Sequence, residues 1–330
     1  QMQLMTNPPC GGILYLREAI ATYLKEFRGM TVLPEQIIIG AGTEYLYGLL
    51  IQLFGKDKIY AVENPGYRKI PQIYKSHQVQ CEYINMDDDG VNVSELEEKK
   101  ADILHITPSH HYPTGIVMPI SRRYELLSWA SKGENRYIIE DDYDSELRLS
   151  GQPIPTLQSI DVSDKVIYMN TFTKTLSSTV RISYMVLPGH LLDQFYKKLS
   201  FYSCTVSNFE QYTLAKFIQE GYFEKHINRL RNYYHSKRDA LLNAIQNSRL
   251  NDHVTISGEE AGVHFLMKIK SSRKEDKLIQ TALSQGIKLA PLSEYYHVSE
   301  EAPENVYVMN YSSINENDID EIIQKLSRCV

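Results

Sequence analysis

Between Tyr137 and Arg181 the chain gathers the groups that could do chemistry. One cluster is Glu140, Asp141, Asp142 and Tyr143; the other is Thr171, Thr173 and Lys174, with Arg181 seven residues further on. A carboxylate, a phenol, two hydroxyls, a primary amine and a guanidinium are what a pyridoxal phosphate site needs. The amine forms a Schiff base with the aldehyde, and the carboxylate keeps the pyridine nitrogen protonated. The phenol steadies the ring oxygen, while hydroxyls and a bidentate arginine hold the phosphate.

Each cluster directly follows a short apolar run rich in β-branched residues, Tyr137–Ile139 and Val166–Met169, which reads as a strand. Ligands of open α/β sheets sit at the carboxyl ends of strands, so polar groups appearing there predict a site. Further strands are expected at Ile37–Ile39, Ile59–Val62, Val79–Ile84, Ile103–Ile106 and Ile182–Leu187. Helical spacing links Leu16, Ala19, Ile20, Tyr23, Leu24 and Phe27, with Gly29 closing the helix. Other helices are expected from Thr43 through Phe54, up to about Tyr74, and over Arg122–Lys132. Gly40-Ala41-Gly42-Thr43-Glu44 joins a strand to a helix N-terminus, which offers either an anion site made of backbone N–H groups or simply a tight turn that needs glycine. This alternation predicts an α/β fold with a mostly parallel, doubly wound sheet.

The last third changes character. Long helical patterns at Leu191–Tyr202, Phe209–Glu220 and Phe223–Asn247 lead to strands at His253–Ile256, Val263–Ile269 and Val306–Tyr311, with helices near Glu275–Gln285 and Asn317–Ser327. That is the pattern of a smaller α+β C-terminal domain. The expected division is a large domain over 30–222 and a small one made of 1–29 and 223–330.

Composition sets outer limits. The chain has 330 residues, 42% hydrophobic and 23% charged, with a net charge of −6, so DNA gripped by this chain alone is a poor expectation. No apolar run reaches the ~18 residues of a membrane span. The amino terminus lacks the charged and apolar regions of a signal peptide. Four scattered cysteines without metal-ligand spacing fit reduced thiols in a cytoplasmic protein. The neighbours His110 and His111 point to opposite faces of an extended chain and have no evident third ligand, so no metal is expected.

Six motifs occur in order: the helix and turn Leu16–Gly29, Asn64-Pro65-Gly66-Tyr67, Thr107-Pro108-Ser109-His110, Pro113-Thr114-Gly115, Glu140–Glu146 and Thr171–Leu176. With them nearly the whole chain resembles the fold type I pyridoxal phosphate enzymes, the aspartate aminotransferase superfamily. Within it, the chain is most similar to the effector-binding domains of MocR/GabR-type regulators of the GntR family. The resemblance implies that Lys174 carries the cofactor as a Schiff base, Asp141 pairs with the pyridine nitrogen, Tyr143 reaches the ring hydroxyl and Tyr67 stacks on the ring. It further implies that Gly42, Thr43 and Glu44, at a helix start, with Thr171, Thr173 and Arg181, form the phosphate site. Tyr112 stands where aminotransferases usually have asparagine, an aromatic choice at home in the regulator branch. Val308 falls where the regulators carry an arginine for an effector carboxylate, and no arginine lies between Arg273 and Arg328.

The resemblance implies a sensor: pyridoxal 5'-phosphate on Lys174 meets a small amine, an amino acid or a dipeptide, or is itself the signal. A homodimer is implied, with DNA reached only through an N-terminal winged-helix domain absent from this chain, which opens at Gln1 on what reads as a fragment. The alternative is a working aminotransferase, in which Lys174 shuttles the substrate proton.

Overall fold

A computed structural model of the protein describes residues 2–149, 154–298 and 301–330; Gln1 and residues 150–153 of the Tyr137–Arg181 stretch lie outside the described residues. Eight strands form one sheet: β1 (Ile37–Gly40), β2 (Ile59–Asn64), β3 (Gln80–Asp87), β4 (Gly90–Val91), β5 (Ile103–Ile106), β6 (Tyr137–Asp141), β7 (Val166–Thr171) and β8 (Ser183–Val186). Their order is β1-β8-β7-β6-β5-β2-β3-β4. The central run from β7 through β3 is parallel, as the strand–helix alternation predicts, with Ile138 opposite Val166 and Leu104 opposite Ile138. The margins are antiparallel, because β8 returns between β7 and β1 and the acidic turn after Asp87 closes a hairpin with β4. The sheet is therefore mixed, with the parallel part in the middle.

The apolar runs are continuous because helices cover both faces of this sheet. Alternate residues serve opposite sides: Ile38, Ile139 and Ile167 enter one core, while Ile37, Ile39 and Ile138 enter the clusters behind it. On the first side lie α2 (Thr43–Phe54), α3 (Lys69–Ser76) and, later in the chain, a helix over Leu192–Leu199; on the other lie α1 (Leu14–Arg28) and a helix over Asn208–Gln219. In α1, Leu16, Ile20 and Leu24 are fully buried against Ile39 and Tyr184 of the sheet, and Tyr23 meets Phe223 edge-on at 5.3 Å. Phe27, expected on the same face, is 42% exposed and rests on the Tyr23 ring. Gly29 caps α1 at φ +65°, a left-handed turn that glycine takes without strain.

The helix over Tyr222–Gln246 leads into a second sheet of β9 (Val254–Ser257), β10 (His264–Ile269) and β11 (Val306–Asn310), antiparallel throughout in the order β11-β10-β9. It has its own core around Leu241, Phe265, Tyr307 and Leu326. No described helix is long and apolar enough to cross a membrane.

Candidate functional site

The central strands end on one side of the sheet, and the polar residues that follow them line a single cavity of about 340 Å³. That is within the usual range of roughly 300–1,000 Å³ for small-molecule sites. Asp141 comes from the end of β6 and Tyr143 from the turn after it; Thr171, Thr173 and Lys174 come from the end of β7, and Arg181 from just before β8. Gly42, Thr43 and Glu44 arrive with the start of α2, Tyr67 with the loop after β2, and Tyr112 with the loop after β5. Every residue singled out in the sequence as a cofactor contact thus lines this one space.

One end of the cavity suits an anion. No side chain caps α2, so its first N–H groups stay open to a ligand and the helix dipole adds partial positive charge. Gly42 sits at φ +95°, and a Cβ there would lie 2.5 Å from Nη2 of Arg181. Any side chain there would be strained by that φ and would push the guanidinium off the start of α2. Arg181 approaches Glu44 at 3.3 Å, and Glu44 also takes the ammonium of Lys69, which with Arg181 holds its carboxyl below the usual range. All three are partly exposed, so these pairs are weak and an incoming phosphate can compete for both cations. The hydroxyls beside them are aligned by a chain: Ser183 donates to Thr171 Oγ1 at 2.8 Å, Thr171 to Thr173 Oγ1 at 3.0 Å, and Thr173 to the Val180 carbonyl at 3.0 Å.

The other end suits a protonated ring nitrogen. Asp141 is buried; its Oδ2 accepts the Tyr47 hydroxyl at 2.5 Å and faces His105 Nε2 at 3.4 Å, while its Oδ1 has no partner among the described residues. A buried carboxylate oxygen left bare is costly, and a ligand N–H at that point removes the cost. The Tyr143 hydroxyl lies 3.4 Å from His110 Nδ1, and burial followed by Asp144 keeps the phenol protonated far above its ordinary range. Lys174 is exposed to the cavity and has no hydrogen-bond or ion-pair partner among the described residues. Free amine, bare carboxylate oxygen, phenol and anion end together fit pyridoxal phosphate.

The walls are aromatic. Tyr67, half exposed, meets Tyr112 edge-on at 5.9 Å, and the Tyr112 hydroxyl bonds that of Tyr295 at 2.8 Å. From the small sheet, Asn310 reaches the cavity, while Val308 is buried with Leu292, Val306 and Tyr112 in an apolar cluster. The lining cations, Lys69, Lys174 and Arg181, all belong to the large-sheet side.

The two histidines take different partners, although the segment that carries them is a turn and not the expected extended chain. His110 pairs with Asp144 at 2.8 Å, whereas His111 bonds Thr114 Oγ1 at 2.7 Å, and its burial pushes its pKa down to about 3. No group of three or more metal-ligating side chains exists among the described residues. Sequence reasoning missed Tyr47, His105, Lys69 and Asn310. Tyr47 could have been found, since it lies one helical turn beyond Thr43 and on the same face. The others come from separate segments and carry no local signal.

The family model described as "Aminotransferase class I and II" matches residues 1–326. The chain is 40% identical over 316 residues to the uncharacterized HTH-type transcriptional regulator YdeL of Bacillus subtilis, covering 96% of this chain and 67% of that protein. It is 29% identical to the HTH-type pyridoxine biosynthesis transcriptional regulator PdxR of Corynebacterium glutamicum, covering 98% of this chain and 70% of that protein. It thus spans about two thirds of the length of these relatives. Among solved structures, the kynurenine aminotransferase of Pyrococcus horikoshii in complex with PMP superposes with a TM-score of 0.84 at 28% identity, covering 99% of this chain and 82% of that one.

Proposed function

The chain belongs to the class I and II aminotransferase family, and from that premise we propose that it holds pyridoxal 5'-phosphate at Lys174 and senses a small amine as the effector-binding part of a transcriptional regulator. The observation that carries the cofactor assignment is the bare, buried Oδ1 of Asp141 in the cavity that the free amine of Lys174 also lines. In this reading Asp141, steadied by Tyr47 and His105, holds a proton on the ring nitrogen. Tyr143 donates to the ring oxygen, Tyr67 covers the ring face and Tyr112 closes the wall beside it. Gly42, Thr43, Glu44, Thr171, Thr173 and Arg181 would form the phosphate end, where a phosphate would compete with Glu44 for Arg181. Bound there, pyridoxal phosphate supplies an aldehyde that exchanges one amine for another and a ring that draws electrons from the neighbouring bonds. Lys174 would hold the aldehyde and, when its amine is free, would serve as a base within the cavity.

Regulation is preferred over rapid turnover for two reasons. Two relatives that match nearly the whole chain are named as HTH-type transcriptional regulators. In addition, the small sheet packs buried Val308 against Tyr112 and, among the described residues, brings no cation to the cavity to anchor a substrate carboxylate. An effector acts here by preferring one arrangement of the two sheets, and the coupling equals that difference in binding free energy. The proposed moving units are 30–222 against 1–29 with 223–330, and α1 touches both. A homodimer in the cytoplasm, reaching DNA through a part of the protein outside this chain, completes the proposal. The alternative, a working aminotransferase, draws on the likeness to the kynurenine enzyme.

Absorption spectroscopy of the purified protein tests the reading. A visible band that depends on Lys174 and shifts when amines are added is expected; a colourless protein that contains no cofactor by mass rejects it. Sustained release of keto acid on adding amino acids replaces the sensor with the enzyme.

A further inference from the structure

A second cavity of about 140 Å³ shares Tyr67 and Ile70 with the cofactor cavity. Glu63, near the end of β2, lines it and is only 8% exposed. Its Oε2 accepts the Thr107 amide at 3.1 Å and the Thr107 hydroxyl at 2.7 Å, with His111 Nε2 at 3.4 Å. Its Oε1 takes no hydrogen bond among the described residues. Around this carboxyl stand Tyr67, Tyr83, Tyr295, Tyr296 and the imidazole of His297, which stacks on Tyr83 at 3.8 Å. The segment carrying the last three residues is strapped over the cavity. Gly66 donates its amide to the Tyr295 carbonyl at 3.1 Å, and His297 donates its own to Asn64 Oδ1 at 2.8 Å. Arg68 also lines the space but is exposed and makes no ion pair with Glu63.

Aromatic rings surrounding a carboxyl attract a cation through the ring quadrupoles and the acid together. The cofactor cavity next door offers no small-sheet cation for a carboxylate. We infer that the second cavity receives the far ammonium of a diamine whose near amine enters the cofactor cavity. This rests on the proposed amine-sensing function and narrows its ligand class. A diamine satisfies both halves: it brings a cation to the unpaired Glu63 oxygen and carries no carboxylate past Val308. Burial also raises the Glu63 pKa to about 8, although the Thr107 bonds oppose the shift. An arriving ammonium therefore draws Glu63 into its charged form and expels a proton. The charged and titratable groups around Glu63 are Asp141, His105, His111, Arg68 and Tyr143, with His297 and the tyrosines of the cavity named above.

The test is calorimetry on protein loaded with pyridoxal phosphate, using α,ω-diamines of three to six carbons, alkylamines of equal length and the matching ω-amino acids. The best diamine is expected to bind about tenfold or more tightly than its alkylamine, the scale of one added ion-pair and cation–π contact. Glu63→Gln is expected to reduce it to the alkylamine level while leaving alkylamine affinity unchanged. Tyr83→Leu, which leaves the Thr107 bonds intact, should produce part of the same loss should the first variant fail to fold. Equal affinities across the series in the unaltered protein overturn the inference, as does a diamine preference that survives Glu63→Gln. A Lys174-dependent band with a flat amine series rejects this inference alone, whereas absence of the band rejects the cofactor reading beneath it.

Discussion

The two walls of the cofactor cavity are built on opposite plans. The large-sheet wall is polar, with Asp141 held by Tyr47 and Thr171 by Ser183, while Arg181 has room over Gly42. The small sheet lends the lining Asn310 alone among the described residues, while Val308 is buried in an apolar cluster that packs on Tyr112. The first wall has the groups that fix a charged cofactor, which need donors oriented in advance. In the proposed function the second decides which ligand is admitted, and it brings no cation to the lining among the described residues. On that proposal cofactor and ligand are chosen by different sheets, so changes in one should leave the other's choice standing.

Lys174→Ala is the most severe test of the polar wall. It should abolish the visible band completely, yet shift stability by no more than about 0.5 kcal/mol, because an exposed side chain without partners holds nothing together; parallel spectra and melting curves read both. Asp141→Asn keeps an acceptor for Tyr47 but removes the anion opposite the ring nitrogen. Cofactor affinity, measured by equilibrium dialysis, should fall about 10- to 100-fold, the scale of one charged hydrogen bond.

Val308→Arg carries the comparison across to the apolar wall. It should strengthen binding of α-amino acids about tenfold by supplying a carboxylate partner. It should also cost about 1–3 kcal/mol of stability, because a charge enters an apolar cluster. Unchanged amino-acid affinity in a folded variant would mean that the small sheet does not face the ligand.

The smallest effect concerns Glu63. Burial lifts its pKa from 4.5 to about 8, so the folded protein keeps a proton that the unfolded chain has given up. Stability from this group is complete below its unfolded pKa and is lost as pH rises through about 8, with a slope of up to about 1.4 kcal/mol per pH unit. Glu140 and Glu146, each raised to about 7 by burial, pull in the same direction. Urea titrations at several pH values should therefore show Glu63→Gln gaining on the parent protein as pH rises; parallel curves would place Glu63 in water.

Much of this was legible in the chain itself. The runs that became β6 and β7 are apolar on both faces and lead into Asp141 and, three residues past Thr171, Lys174, so local pattern and strand-end chemistry pointed to residues that line one cavity. The helix start at Gly42 was left open between anion site and plain turn; the 2.5 Å approach of Arg181 to the missing Cβ adds a reason for glycine that no local spacing contains. The return of β8 beside β1 also escaped the pattern, since period and composition do not give strand order.

The sequence by itself determined the alternating strands and helices, the residues at the strand ends and the chemistry those residues can support, because each follows from side-chain type and near-neighbour spacing. Only the tertiary structure decided which distant groups share the space. His105 and Tyr47 converge on one oxygen of Asp141 and leave the other bare, Glu63 is enclosed beneath a strap from residues 295–297, and Val308 is turned into the wall of Tyr112. Those contacts join segments tens to hundreds of residues apart, and burial is the largest influence on the charge state of groups such as Glu63 and His111. Desolvation depends on the whole packed surroundings, which no local stretch of sequence carries.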